Sequence, residues 1–204
     1  MPLDSWSARH RKFTMEAFLT SALLVAVAEM GDKTQLLAIV LATRFRKPLP
    51  IVLGILVATL ANHALAAFAG QFAAGLIDGQ WFRVAVAASF IVMGLWTLVP
   101  DTLDEDEQPR ARGGVFLTTL VAFFLVEMGD KTQLATVALG AQFTNLVAVT
   151  AGTTLGMMLA NVPAVLLGNA LVQRISLGAV RIVAALSFVV VGAWLAADAL
   201  GYIG

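Results

Sequence analysis

The sequence contains no cysteine, and charged residues make up only 13% of its 204 positions. The absence of cysteine excludes disulfide bonds and any metal site built on thiolates. The formal net charge is zero, which argues against a nucleic-acid-binding surface. Apolar residues are abundant instead, at 59%, whereas a soluble domain is about 45–50% apolar and about 25% charged. This composition predicts a chain solvated mostly by lipid.

Six long apolar stretches predict the architecture. A helix that crosses the hydrocarbon core needs about 20 mostly apolar residues. A soluble protein would need amphipathic surface helices, for which these stretches leave almost no room. We therefore predict an all-α polytopic membrane protein with six transmembrane helices, at residues 15–42, 49–77, 82–99, 115–141, 146–172 and 177–200.

The chain is internally duplicated. The run Glu-Met-Gly-Asp-Lys-Thr-Gln-Leu occurs at residues 29–36 and again, 98 positions later, at 127–134. Such an identity with several polar residues indicates two homologous halves. We divide the chain into a polar basic tail at 1–14, a first three-helix repeat at 15–100, an acidic soluble linker at 101–114 and a second three-helix repeat at 115–204.

An odd number of crossings per repeat has a topological consequence. It places the second repeat in the membrane upside down relative to the first. This inverted arrangement is typical of secondary transporters, whose binding sites lie near the bilayer midplane between the repeats. The distribution of Lys and Arg weakly favours a cytoplasmic linker with both termini outside.

The duplicated motif places charge inside the membrane. A charged group at the bilayer centre costs at least about 2.5–3.5 kcal/mol. Glu29 and Asp32, and their counterparts Glu127 and Asp130, lie within predicted spans. Such groups are tolerated where they meet a partner, a cavity or a substrate, and their duplication favours a binding site over a buried ion pair.

The path of the backbone through the motif has two possibilities. In a continuous helix, Glu29 shares a face with Asp32 and Lys33, and Gln35 continues that row. Gly31 allows either close packing of that helix or a local break that exposes backbone carbonyls. The same two possibilities apply to the second copy of the motif.

Oxygen-bearing side chains dominate the two motifs. Hard divalent cations prefer oxygen ligands, whereas Zn²⁺ and Cu⁺ favour His, Cys or Met. The predicted metal ligands are Glu29, Asp32, Gln35, Glu127, Asp130 and Gln133. The predicted roles of the neighbours are charge balance or gating for Lys33 and Lys131, and support for Thr34, Thr132, Asn62 and Asn161.

These residues suggest a mechanism. With a divalent cation bound, the carboxylates are ionised; after it leaves, they are desolvated and close together, so they take up protons. Rocking of the two repeats would expose the site to each side in turn, giving proton-coupled antiport without an enzymatic step or a resident cofactor. His63 is either an interhelical hydrogen-bonding group or a proton relay or outer ligand.

The motif Glu-x-Gly-Asp-Lys-Thr-Gln, present twice, resembles the hallmark of the GDT1 family, also called uncharacterised protein family 0016. The resemblance covers both halves of the chain. It implies a cation/proton exchanger for Mn²⁺ or Ca²⁺, with Glu29, Asp32, Glu127 and Asp130 at the cation site. Short two-repeat members resemble bacterial manganese exporters, which implies export of Mn²⁺ across a bacterial inner membrane.

Three other functions fit parts of the pattern. A passive cation channel would use the same acidic residues without moving protons. An exporter of small organic solutes would need no divalent ion. An intramembrane aspartyl protease would resemble Gly-x-Gly-Asp at one aspartate, but here the first position of that motif is Glu29 or Glu127. The oligomeric state has no signature in the sequence.

Overall fold

A computed structural model describes residues 3–77, 79–100, 113–168 and 176–203, with side chains described from residue 14 onward. These ranges form eight α-helices and contain no strand. The helices are α1 (Leu3–Glu29), α2 (Lys33–Phe45), α3 (Pro48–Leu76), α4 (Gln80–Thr97), α5 (Val115–Glu127), α6 (Lys131–Gln142), α7 (Leu146–Leu167) and α8 (Leu177–Ala199).

Two predicted spans are broken in the middle. The span predicted at 15–42 is α1 followed by α2, and the one predicted at 115–141 is α5 followed by α6. The cause is the glycine of each motif: Gly31 has φ +86° and Gly129 has φ +81°, a left-handed conformation that glycine adopts without steric cost. Of the two possibilities left open by the sequence, the structure shows the local break, so the motif residues do not share one continuous helix face.

The other predicted helices lie close to their expected positions. Helices α3, α4, α7 and α8 begin and end within a few residues of the predicted spans, except that α7 ends at Leu167 rather than near residue 172. Helix α1 begins at Leu3, so most of the backbone predicted as a polar tail is helical. The predicted linker, apart from Gly113 and Gly114, lies outside the described residues.

Within the described parts of the chain, four helices are long and apolar enough to cross a membrane, judged by length and composition: α3, α4, α7 and α8. Helix α5 is apolar but has only 13 residues. Since a 13-residue helix is about 20 Å long, it cannot cross a hydrocarbon core of about 30 Å alone. Six crossings therefore require that each broken pair, α1 with α2 and α5 with α6, acts as one span.

The two repeats interlock. Helix α1 packs chiefly on α7, its counterpart α5 packs on α3, and α4 packs along α8. Packing between helices of the same repeat is sparse. At the α4–α8 contact the equivalent residues Phe90 and Phe188 are fully buried, with ring centroids 6.3 Å apart. Among the described residues, both clusters of the apolar core contain residues of the two repeats, and neither repeat has a separate core.

Small residues allow the helices of opposite repeats to approach closely. At the α3–α6 crossing, a Cβ atom added to Gly70 would lie 1.9 Å from the carbonyl oxygen of Val137, and one added to Gly140 would lie 2.3 Å from that of Ala67. Close backbone approach at glycine is a common way for helices to associate in membranes. This crossing holds α6, which carries half of the second motif, against the first repeat.

Candidate metal centre

The two breaks bring four carboxylates to the interface of the repeats. Glu29 and Glu127 are the last residues of α1 and α5, and Asp32 and Asp130 are the N-cap residues of α2 and α6. All four are at most 3% exposed. An N-cap carboxylate lies near the positive end of a helix dipole, which stabilises its negative charge. The break therefore places each aspartate where a buried charge is better tolerated.

Three of these carboxylates form one compact group. Glu29, Glu127 and Asp130 each offer an oxygen, and these oxygens all lie within 4.8 Å of one another. Cis ligands of an octahedral ion with bonds of about 2.1 Å are about 3 Å apart, and trans ligands are about 4.2 Å apart. If these three oxygens moved slightly closer together, they could therefore occupy neighbouring ligand positions of one divalent cation.

In each glutamate of this group, one carboxylate oxygen accepts hydrogen bonds and the other accepts none. Glu29 Oε2 accepts hydrogen bonds from Thr34 Oγ1 at 2.5 Å and from Asn161 Nδ2 at 3.3 Å. Glu127 Oε1 accepts one from Thr132 Oγ1 at 2.7 Å. Among the described residues, Glu29 Oε1 and Glu127 Oε2 have no hydrogen-bond partner. Buried polar atoms are rarely left unsatisfied, so the spare oxygens favour a ligand.

The lysines pair across the repeats. Lys131 Nζ lies 3.1 Å from Asp32 Oδ1, and Lys33 Nζ lies 3.5 Å from Asp130 Oδ1. Asp32 contacts Lys131 and is not a member of the three-carboxylate group. The two aspartates, equivalent in sequence, therefore have different surroundings in this structure.

The two glutamines brace the backbone breaks. Gln35 Oε1 accepts a hydrogen bond from the Gly31 N–H at 2.9 Å, and its Nε2 donates to the carbonyl of Ala160 at 3.0 Å. Gln133 Oε1 accepts one from the Gly129 N–H at 2.7 Å. Both side-chain oxygens predicted as metal ligands are thus engaged by the N–H of the motif glycine. This contact also explains why Gln follows Gly by four residues in both motifs.

The second-span asparagines have different partners. Asn161 contacts Glu29, as described above, whereas Asn62 Nδ2 donates to the carbonyl of Phe124 at 3.0 Å. His63, beside Asn62, is fully buried, and its Nε2 lies 3.6 Å from Glu127 Oε1. His63 therefore lies beside one carboxylate of the group, a position that its sequence pattern did not predict.

The two breaks differ in how they are covered. Gly31 is buried, and a Cβ atom added to it would lie 3.0 Å from the Leu177 side chain at the start of α8. Gly129 is exposed, and a Cβ atom there would meet nothing within 4 Å. Met128 beside it is 57% exposed. The first turn of α8 thus covers the first break, whereas nothing lies close to the second.

Arg181 lies beside the first break and was not among the predicted site residues. It lines a small pocket with Asp32 and Lys131, beside the first break. Its counterpart in the first repeat, Arg83, is exposed. The shared spacing of the two arginines was visible in the sequence, but their different positions were not.

Comparison with known proteins identifies relatives of this chain. The family described as "Divalent cation/proton antiporter GDT1" matches residues 17–105 and 115–202. A Vibrio cholerae protein named "Putative manganese exporter" is 48% identical over 172 residues, which cover 84% of this chain and 86% of that protein. A GDT1-like protein of Synechocystis sp. is 30% identical over 195 residues, covering 85% and 93% of the two chains.

Eukaryotic relatives match at lower identity. GDT1-like protein 5 of Arabidopsis thaliana is 28% identical over 216 residues, covering 87% of this chain and 94% of that protein. No solved structure matches the chain. The family match confirms the resemblance read from the two motifs. With most of both repeats matched, the chain belongs to the GDT1 family of divalent cation/proton antiporters.

Proposed function

We propose that this protein exports a divalent cation in exchange for protons by alternating access, with Mn²⁺ as the first candidate substrate. The observation that carries the proposal is the buried group of Glu29, Glu127 and Asp130 at the interface of two interlocked repeats. In this proposal the broken pairs each act as one span, giving six crossings as two inverted repeats. The location is a bacterial inner membrane, and Ca²⁺ is the second candidate substrate.

Charge balance supports a divalent substrate. The four buried carboxylates carry −4, and Lys33 and Lys131 carry +2, which leaves −2 for the two motifs together. One divalent cation neutralises this charge. When the cation leaves, carboxylates within 4.8 Å of one another repel in a site with little water, and proton uptake relieves the repulsion. Cation and protons thus occupy one site alternately.

The unequal cover of the breaks supports alternating exposure. In this structure α8 covers the first break, whereas the second break is uncovered. In this proposal the two homologous repeats exchange these arrangements, although Leu177 corresponds to Gly79 just before α4. The first turn of α4 would then close over Gly129, and α8 would withdraw from Gly31. The site would be reached first from one side of the membrane and then from the other.

The proposal is tested by transport in liposomes that contain a pH-sensitive dye. Adding Mn²⁺ outside is expected to drive protons out of vesicles that hold the wild-type protein. Asp130→Asn removes a member of the carboxylate group and is expected to abolish this proton movement. Mn²⁺ entry without proton movement would indicate a passive channel, and no Mn²⁺ or Ca²⁺ movement at all would contradict the proposal.

Alternating exposure is tested by cysteine labelling. The sequence has no native cysteine, so only the introduced thiol can react. Single variants Met30→Cys and Met128→Cys place a thiol at equivalent positions of the two breaks. We expect the reaction rates with a membrane-impermeant thiol reagent to change in opposite directions when Mn²⁺ or a proton gradient is applied. Parallel changes at both positions would contradict an exchange of the two arrangements.

A further inference from the structure

We infer that His63 supplies a nitrogen ligand to the transported cation, so that the site favours first-row transition-metal ions over Ca²⁺ and Mg²⁺. The inference rests on the proposed function and adds a ligand to its site. The carboxylate group alone offers only oxygen, the donor that Ca²⁺ and Mg²⁺ also prefer. A nitrogen donor changes that preference.

The position of the imidazole supports ligation. His63 lies on α3 with a side chain that is fully buried, and its Nε2 is 3.6 Å from Glu127 Oε1. That separation is longer than a normal hydrogen bond but close to the spacing of about 3 Å between cis ligands of one octahedral ion. An ion bound to Glu127 would therefore lie near the imidazole.

The imidazole also lacks other partners. Neither Nδ1 nor Nε2 of His63 has a hydrogen-bond partner among the described residues. The nearby Glu29 Oε1 and Glu127 Oε2 are likewise without one. A buried histidine that served only to join helices would be expected to donate to a neighbour. The two ring nitrogens of His63 point in different directions, so only one of them can bind an ion together with Glu29 Oε1 and Glu127 Oε2, and these three atoms are available for a shared ligand.

The chemistry of the donors indicates the class of ion. Imidazole nitrogen binds first-row transition metals, whereas Ca²⁺ and Mg²⁺ take oxygen ligands almost exclusively. The equivalent position in the second repeat is Val162, since Asn62 corresponds to Asn161. The site thus has one nitrogen and several oxygens, and its preference among ions depends on a residue that the duplicated motif does not include.

Pulsed electron paramagnetic resonance of Mn²⁺ bound to the purified protein tests this inference. The spin-echo modulation of Mn²⁺ contains a ¹⁴N frequency when an imidazole nitrogen is directly coordinated. We expect this ¹⁴N modulation in the wild-type protein and its loss in His63→Val, which introduces the residue of the other repeat. The chain has one other histidine, His10, and His10→Gln is the control that should retain the modulation.

The outcomes separate the two proposals. Bound Mn²⁺ without ¹⁴N modulation in the wild type would overturn the role of His63 and leave the carboxylate site intact. No bound Mn²⁺ at all would contradict the proposed function itself. If His63→Val does not fold, His63→Gln is used in its place. With either variant, we expect the affinity for Mn²⁺ to fall about tenfold or more. The affinity for Ca²⁺ should fall less. Equal losses for both ions would contradict a nitrogen ligand that discriminates between them.

Discussion

Replacing Glu29 with glutamine is expected to abolish measurable Mn²⁺ binding, with a loss of affinity of at least about 100-fold. Glutamine keeps the shape of the side chain but removes the negative charge from the group that Glu29 forms with Glu127 and Asp130. Changes to residues that only orient metal ligands already cost about 10–100-fold in affinity, so the loss of a charged ligand should cost more. Calorimetric titration of the purified protein with Mn²⁺ measures this.

Glu16 provides a matched control on the same helix. It lies 13 positions before Glu29 on α1, which is about 20 Å along the helix axis, and lines an apolar cavity of about 300 Å³. Glu16→Gln should bind Mn²⁺ as the wild type does. Thermal stability of Glu29→Gln should not fall, because a buried charge is removed. Retention of wild-type affinity in Glu29→Gln would exclude this carboxylate as a ligand.

Replacing Gly70 with alanine is expected to destabilise the fold by about 3 kcal/mol or more, at the upper end of the range for overpacking. The added Cβ atom would lie 1.9 Å from the carbonyl oxygen of Val137 and 2.8 Å from the Ala141 nitrogen. Both are backbone atoms, so α3 and α6 must move apart. Since neither repeat has a core of its own, this separation opens the interface that holds the site. Thermal unfolding in detergent, read as a change in Tm, measures the effect.

Gly75 is the control for this substitution. It lies five residues further along α3, and a Cβ atom there would meet nothing within 4 Å. Gly75→Ala should leave Tm unchanged or raise it, because alanine is favoured over glycine in a helix by about 0.5–1 kcal/mol. Equal Tm values for Gly70→Ala and Gly75→Ala would show that the α3–α6 contact does not limit stability.

The sequence placed acidic residues inside the membrane but could not predict how they are arranged. Glu29, Glu127 and Asp130 form one group, as expected for a shared site, because charged groups inside a membrane must find partners or a ligand. Asp32 lies beside Lys131 instead. Spacing along one helix could not show this, because Gly31 interrupts the helix.

The sequence alone determined that the chain is helical, hydrophobic and duplicated, and that each copy carries acidic residues where charge is costly. Those features are local, and composition and a repeated motif reveal them. Only the tertiary structure decided which carboxylates meet, that His63 lies beside Glu127, and that α8 covers one break while the other is uncovered. These are contacts between residues far apart in the chain, set by packing between repeats, and two nearly identical motifs cannot show which one is covered.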